Sequence, residues 1–226
     1  EADYELTNTT TCTKLSHRPL QWQVNIKTNN HAINNSMKFK LWLENKKLNP
    51  EDIEALGGLK FFHGGTKISG KTFDPVFFGA GEPGDMRPQG QAFYGANTKD
   101  HADIYQKYGK EGNQGTTEFR ISDYALLYPR GHVWSKFSSE YTDRVKKALE
   151  RATELLRERG LSRKNQFRDE ELHPMYLYQR SGSATAESEK IRKTLIDAGI
   201  DGSIEYLNDT FGNEIAIYNP EIMSRV

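Results

Sequence analysis

Capped helices and short β-like runs follow one another irregularly along this chain, and that order excludes a doubly wound parallel sheet. Residues 49–57 (NPEDIEALG) carry a complete helix start: Asn49 as N-cap, Pro50 at the first helical position, then Glu51 and Asp52 against the helix dipole, with Gly57 as the stop. A short apolar strand follows at 59–63, then another at 90–96 (GQAFYGA). Asn97 or Thr98 caps a helix expected to bury Ala102, Tyr105 and Tyr108 and to end at Gly109. Strands at 116–122 and 124–129 flank a Ser-Asp turn. Val145, Leu149, Ala152 and Leu156 recur at helical spacing within 139–160, and a second helix runs from a Thr185 cap to Gly199. Between them 161–184 reads as irregular, with a strand at MYLY. Two strands, 201–207 and 213–220, close the chain. Strands and helices mixed without βαβ alternation predict an α+β fold with antiparallel sheets.

Of the 226 residues, 31 are Lys or Arg and 31 are Asp or Glu, so no global charge grips nucleic acid or membrane. No stretch approaches the roughly 20 apolar residues of a membrane span. A single cysteine, Cys12, excludes an internal disulfide and a Cys-rich zinc site. The six histidines show no metal-ligand spacing, and no metal is expected. Neutrality conceals an asymmetry. From Lys14 to Lys47 there are Lys14, Arg18, Lys27, Lys38, Lys40, Lys46 and Lys47 against Glu44 alone. Residues 1–48 therefore read as a basic accessory segment. Trp22, Phe39 and Trp42 interleave with its lysines, either as a stacking surface for nucleic acid or as a layer packed on the domain. The chain begins at Glu1 rather than Met, which reads as a processed chain or an excised domain. Asn8, Asn34 and Asn208 head Asn-x-Ser/Thr triplets, weak signals because such triplets arise by chance.

Three separated pieces carry chemistry. His63 leaves an apolar strand into Gly64 and Gly65, where backbone can approach a ligand closely, although a strand-end histidine is also an ordinary structural residue. Tyr94 ends a strand just before a helix and offers an aromatic face for a planar ring, or a core contact. Glu214 opens an apolar strand after a Gly-Asn turn, where a carboxylate can hold a sugar hydroxyl or stabilise an oxocarbenium ion. Residues 64–90 hold seven glycines and three prolines, a long loop of the kind that carries function or remains unordered.

A His, a Tyr and a carboxy-terminal Glu, each at a strand end, together resemble the ADP-ribosyltransferase superfamily. The blocks are FFHGG, FDPVFFGAGEPGDMRPQGQAFYGANTKDHADIYQKYG, LIDAGIDGSIEYL and GNEIAIYNPEIM, running from Leu59 to Met223. They are most similar to transferase domains of phage and bacterial polyvalent proteins and toxins. GANT after Tyr94, in place of a Ser-Thr-Ser strand, favours the His-Tyr-Glu branch over the Arg-Ser-Glu branch. Gly65 stands where many members have Ser or Thr, and Gly212 where arginine-modifying members carry an acid, so an arginine target is less expected.

The resemblance implies two packed antiparallel sheets forming an NAD cleft, flanking helices, a catalytic domain at 49–226 and a helical insertion at about 129–184. Glu214 would be catalytic. His63, Gly64, Gly65, Tyr94, Tyr105, Phe78 and Arg87 would bind NAD, with Arg87 on the pyrophosphate and Phe78 near the adenine, unless these two simply face solvent and core. The implied reaction transfers ADP-ribose from NAD to a macromolecular acceptor, protein ahead of nucleic acid, and releases nicotinamide. The alternatives are an NAD glycohydrolase, a nucleic-acid-directed transferase using residues 1–48, and a silent binding module. An inhibitor or immunity protein is an implied partner, and the implied setting is a soluble effector or toxin in the cytoplasm of a producing or target cell, secreted or injected.

Overall fold

The computed structural model describes residues 46–68, 92–181, 186–208 and 212–226. The expected strands near Trp22 and Met37, Cys12, the loop bearing Phe78 and Arg87, and the Thr185 cap all lie outside these residues. The described chain runs α1 (Pro50–Ala55), β1 (Lys60–Thr66), β2 (Phe93–Ala96), α2 (Lys99–Ile104), a 3-10 turn (Gln106–Tyr108), β3 (Gln114–Ile121) and β4 (Leu127–Arg130). It continues through a 3-10 helix (Gly131–Lys136), α3 (Ser139–Glu158), α4 (Pro174–Arg180), α5 (Ala186–Asp197), β5 (Gly202–Asn208), β6 (Gly212–Ile217), a 3-10 turn (Pro220–Ile222) and β7 (Met223–Arg225). The class is α+β, as the irregular order predicts.

The strands hydrogen-bond in the order β4-β5-β6-β2-β1-β3-β7. This corrects the expectation of two separate antiparallel sheets: the sheet is continuous, and β4 pairs parallel to β5. The continuity is thin at one place. β1 pairs with β3 from Lys60↔Arg120 to Thr66↔Gln114, but with β2 through Phe62↔Ala96 alone among the described residues. The sheet is thus two well-paired halves, β4-β5-β6-β2 and β1-β3-β7, joined at a seam.

Each half has an apolar reason to form. Phe61, Phe93 and Phe119 gather with ring centroids 5.5–6.1 Å apart, tying β1, β2 and β3 by aromatic contact. Ile204, Ile215, Ile217 and Leu127 are fully buried along the other half. The strongly amphipathic α3 buries Tyr141, Val145, Ala148, Ala152 and Leu156. The Tyr141 hydroxyl donates to the Leu127 carbonyl at 2.7 Å and accepts from the Leu127 amide at 2.9 Å. A side chain from the helix therefore satisfies backbone at the start of β4.

Two local expectations change and one open alternative is decided. MYLY is not a strand but the middle of α4: Pro174 takes the first helical position, His173 Nδ1 accepts from the Met175 amide, and Met175, Leu177 and Tyr178 are buried on one side. Thr98 rather than Asn97 occupies the N-cap of α2. Tyr105 and Tyr108, expected in the core, are 37% and 65% exposed. The α2 helix ends at Ile104 and gives way to a 3-10 turn over Gln106–Tyr108, so both tyrosines lie at or beyond its end, past the buried His101 and Ala102.

The caps of α1 and α3 interlock. Asn49 Oδ1 accepts from the Asp52 amide at 2.7 Å. Buried Asp52 accepts from the Ser138 amide at 2.9 Å and from its hydroxyl at 3.0 Å, while that hydroxyl accepts from the Tyr141 amide at 3.1 Å. Ser138→Ala is expected to cost about 1–2 kcal/mol in urea unfolding, and Asp52→Ala about 3 kcal/mol. The two losses should be less than additive, because both variants break the same bonds; strict additivity would show that the caps act separately.

Candidate active site

His63 stands in β1 immediately past the seam rung Phe62↔Ala96. Its ring packs on Phe93 with centroids 4.3 Å apart, and Nδ1 lies 2.7 Å from the Tyr94 carbonyl. A carbonyl only accepts, so Nδ1 carries the proton and the neutral ring presents Nε2 as an acceptor. Burial pushes the imidazole pKa down, more than the Tyr94 carbonyl pushes it up. The side chain thus supplies a hydrogen bond where the β1–β2 ladder stops.

Gly64 is required by close approach and Gly65 by its positive φ. A Cβ on Gly64 would lie 1.6 Å from the Ala102 carbonyl oxygen and 3.3 Å from Tyr105 Cβ, so α2 sits directly on β1 here. Gly65, at φ +146°, would place a Cβ 3.4 Å from His63 Nε2. Beside them, Asp103 accepts from Lys99 Nζ at 2.6 Å, from Gln106 Nε2 at 2.6 Å and from the Thr116 hydroxyl. These donors hold the Asp103 carboxyl below its usual range and fasten α2 to β3, fixing the turn that carries half-exposed Tyr105.

Glu214 is set by a second lock. The Asn213 amide donates to Asn97 Oδ1 at 2.9 Å, and the Asn97 amide donates to the Asn213 carbonyl at 3.2 Å. Buried Asn213 Nδ2 donates to the carbonyls of Ala55 and Leu56, tying the start of β6 to the end of α1. Gly212 precedes it at φ +71°, and a Cβ there would lie 2.7 Å from Asn97 Oδ1. That contact, with the left-handed backbone, accounts for glycine at this position.

The register places Glu214 opposite Ala96, and Tyr94 opposite Ala216, so Tyr94 and Glu214 share one face of the β2–β6 pair. Along that face Ala216, Tyr218 and Ser203 are fully buried while Tyr94, Glu214 and Glu205 are half-buried, which makes it a face that opens towards Glu214. The structure therefore brings His63, Gly64, Gly65, Tyr94 and Tyr105 to the seam, with Glu214 on the adjoining strand, but Phe62 rather than His63 shares the face of Tyr94 and Glu214, and the His63 ring lies on the opposite face against Phe93. Phe78 and Arg87 lie outside the described residues.

Two residues were missed. Glu205 pairs directly with Glu214 across β5–β6, and Arg130 pairs with Glu205 across β4–β5. Glu205 alternates with Ile204 and Tyr206 as any half-buried strand residue does, and its register depends on an irregularity between Tyr206 and Asn208 that the sequence does not announce.

Among the described residues no group of three or more His, Cys, Asp or Glu side chains is arranged to hold a metal ion, and no helix is long and apolar enough to cross a membrane. Comparison with protein-family models, curated proteins and solved structures returns no match.

The depressed His63 imidazole carries a pH signature. Above about pH 6.5 folded and unfolded chains are both neutral at this group; below it the unfolded chain takes up a proton that the folded one resists. Stability should therefore fall as pH drops below about 6.5. His63→Asn, which offers an N–H near the Nδ1 position and does not titrate, should flatten part of that fall in urea titrations. An unchanged slope would show that His63 is not the buried group responsible.

Proposed function

We propose that this protein cleaves NAD at the nicotinamide–ribose bond and transfers ADP-ribose to a macromolecular acceptor. The observation that carries the reading is the seam. Three residues far apart in sequence, His63, Tyr94 and Glu214, come to adjoining strands where the β1–β2 ladder is reduced to a single rung among the described residues. A neutral His63, its Nδ1 held by the Tyr94 carbonyl, offers Nε2 to a ribose hydroxyl. Gly64 lets α2 approach β1 so that Tyr105 stands beside the seam, and the aromatic rings of Tyr94 and Tyr105 suit a planar pyridinium.

In this reading Glu214 accepts the 2′-hydroxyl of the nicotinamide ribose and opposes the positive charge that grows on the sugar. The C1′–N bond breaks with its electron pair passing to the pyridinium nitrogen, so nicotinamide leaves neutral and needs no acid. The acceptor's lone pair then bonds to C1′, and its proton passes to solvent. The protein's contribution is placement and charge.

Incubation with labelled NAD, alone and with lysate, tests the reading. Label transferred to protein is the expected outcome. Label on nucleic acid would redirect the acceptor assignment, free ADP-ribose alone would mean water is the acceptor, and intact NAD throughout would overturn the proposal.

Glu214→Gln keeps shape and removes charge. It should bind NAD while turning over at least about a hundredfold more slowly; near-normal turnover would remove Glu214 from the mechanism. Tyr94→Ala should chiefly weaken the apparent affinity for NAD, and an unchanged KM would take the nicotinamide contact away from Tyr94.

A further inference from the structure

The residue directly across from Glu214 is another carboxylate. Glu205 on β5 and Glu214 on β6 are register partners of an antiparallel pair, so their side chains share a face with Cβ atoms about 5 Å apart. Like charges placed so are destabilising, and two carboxylates at such range tend to share a proton rather than both ionise. A carboxylate that must oppose an oxocarbenium ion is useful only when charged. The next strand answers this. Arg130 on β4 is the register partner of Glu205, and its Nη1 lies 2.8 Å from Glu205 Oε2. The two side chains are only 21% and 34% exposed, which limits screening of the pair.

We infer that Arg130, acting through Glu205, keeps Glu214 ionised at neutral pH, which makes Arg130 and Glu205 positioning residues for the Glu214 carboxylate. The inference rests on the assignment of Glu214 as the working carboxylate. In the row Arg130–Glu205–Glu214 the guanidinium offsets the charge of the carboxylate that faces Glu214. Arginine suits the position because it stays protonated at any working pH.

The neighbouring elements bring other charged or titratable groups, each engaged differently. Tyr94 comes from β2 and Tyr128 from β4. Tyr128 is half-buried, and burial pushes its phenol pKa up. From the 3-10 helix Gly131–Lys136, Lys136 Nζ sits 3.9 Å above the Tyr206 ring and His132 is exposed. From α4 comes Tyr178, packed edge-on against Tyr218 at 5.1 Å. From α5, Arg192 donates to the Tyr218 carbonyl at 2.6 Å and to Glu189. At α2, Lys99 is taken by Asp103, and across the seam the group is His63, bonded to the Tyr94 carbonyl.

The test is a double-variant cycle read without NAD as well as with it. Carboxyl-¹³C glutamate is incorporated, the Glu214 signal is assigned by its loss in Glu214→Gln, and its titration midpoint is followed in wild type, Arg130→Met, Glu205→Gln and the double variant. Arg130→Met should raise the Glu214 midpoint by about one pH unit or more, and the acidic limb of kcat/KM for NAD should move up with it. In the Glu205→Gln background, where no facing carboxylate is left for Arg130 to hold and neutralise, the same Arg130 change should move both by clearly less. A shift of equal size in both backgrounds, or none in either, overturns the inference.

Should Arg130→Met fail to fold by circular dichroism, near-isosteric Glu205→Gln alone decides. It removes the facing charge, so the Glu214 midpoint must fall, and an unmoved midpoint overturns the inference. The NMR readout separates the two claims. A wild-type protein that shows the predicted shifts but cleaves no NAD loses the proposed activity and keeps this coupling. NAD cleavage with unmoved titrations loses the coupling alone.

Discussion

The hydrogen bond from His63 Nδ1 to the Tyr94 carbonyl is the contact on which the site's geometry turns. Among the described residues β1 and β2 share one rung, Phe62↔Ala96, and past it a side chain, His63, meets the Tyr94 carbonyl. A buried carbonyl without a donor costs about 1–3 kcal/mol. The imidazole answers that demand at 2.7 Å while its ring stays packed on Phe93, so the strands can diverge without an orphaned acceptor. The same bond fixes which nitrogen holds the proton. A structural requirement of the seam therefore decides what chemistry His63 presents to its other side.

Around this contact the neighbouring elements are placed by close backbone approach rather than by large side chains. The Ala102 carbonyl occupies the space a Gly64 side chain would need, and Gly109 lies as close to Gly65. On the β6 side Asn97 and Asn213 exchange hydrogen bonds, and Asn213 also holds the last carbonyls of α1. Helix α1 in turn is capped into α3 through Asp52 and Ser138. A chain of polar contacts thus runs from the capped helices to the residue next to Glu214. Each link satisfies a buried backbone group, so loosening any one exposes another.

What was legible in the sequence follows the range of the interaction behind it. Asn49, Pro50 and Gly57 announce α1 because capping involves residues within one turn. The α3 stripe announces itself over five turns. By contrast α4 is seven residues long, too short for period 3.6 to separate from alternation, and its cap is a histidine rather than one of the usual short polar residues. The burial expected for Tyr105 failed because the tight fit of Ala102 on Gly64 lies across the chain, where no local pattern reports it. His63, Tyr94 and Glu214 were legible as strand ends; their meeting was not, since it depends on sheet order. The pairing of Glu205 with Glu214 was hidden for the same reason.

Sheet order also explains why charge appears where it does on this face. Going from Tyr218 and Ser203 towards Glu205 and Glu214, burial falls, and the hydroxyl pair Tyr218–Ser203, joined at 2.8 Å, gives way to carboxylates. Neutral hydroxyls suit the closed end because they satisfy each other without a charge to desolvate. Carboxylates suit the open end, where water and a guanidinium reach them. The polarity of the row is therefore graded along β5 and β6, and the one arginine in it stands beside Glu205, the carboxylate farther from the seam. That order leaves Glu214 as the carboxylate of the pair nearer Tyr94 and the seam.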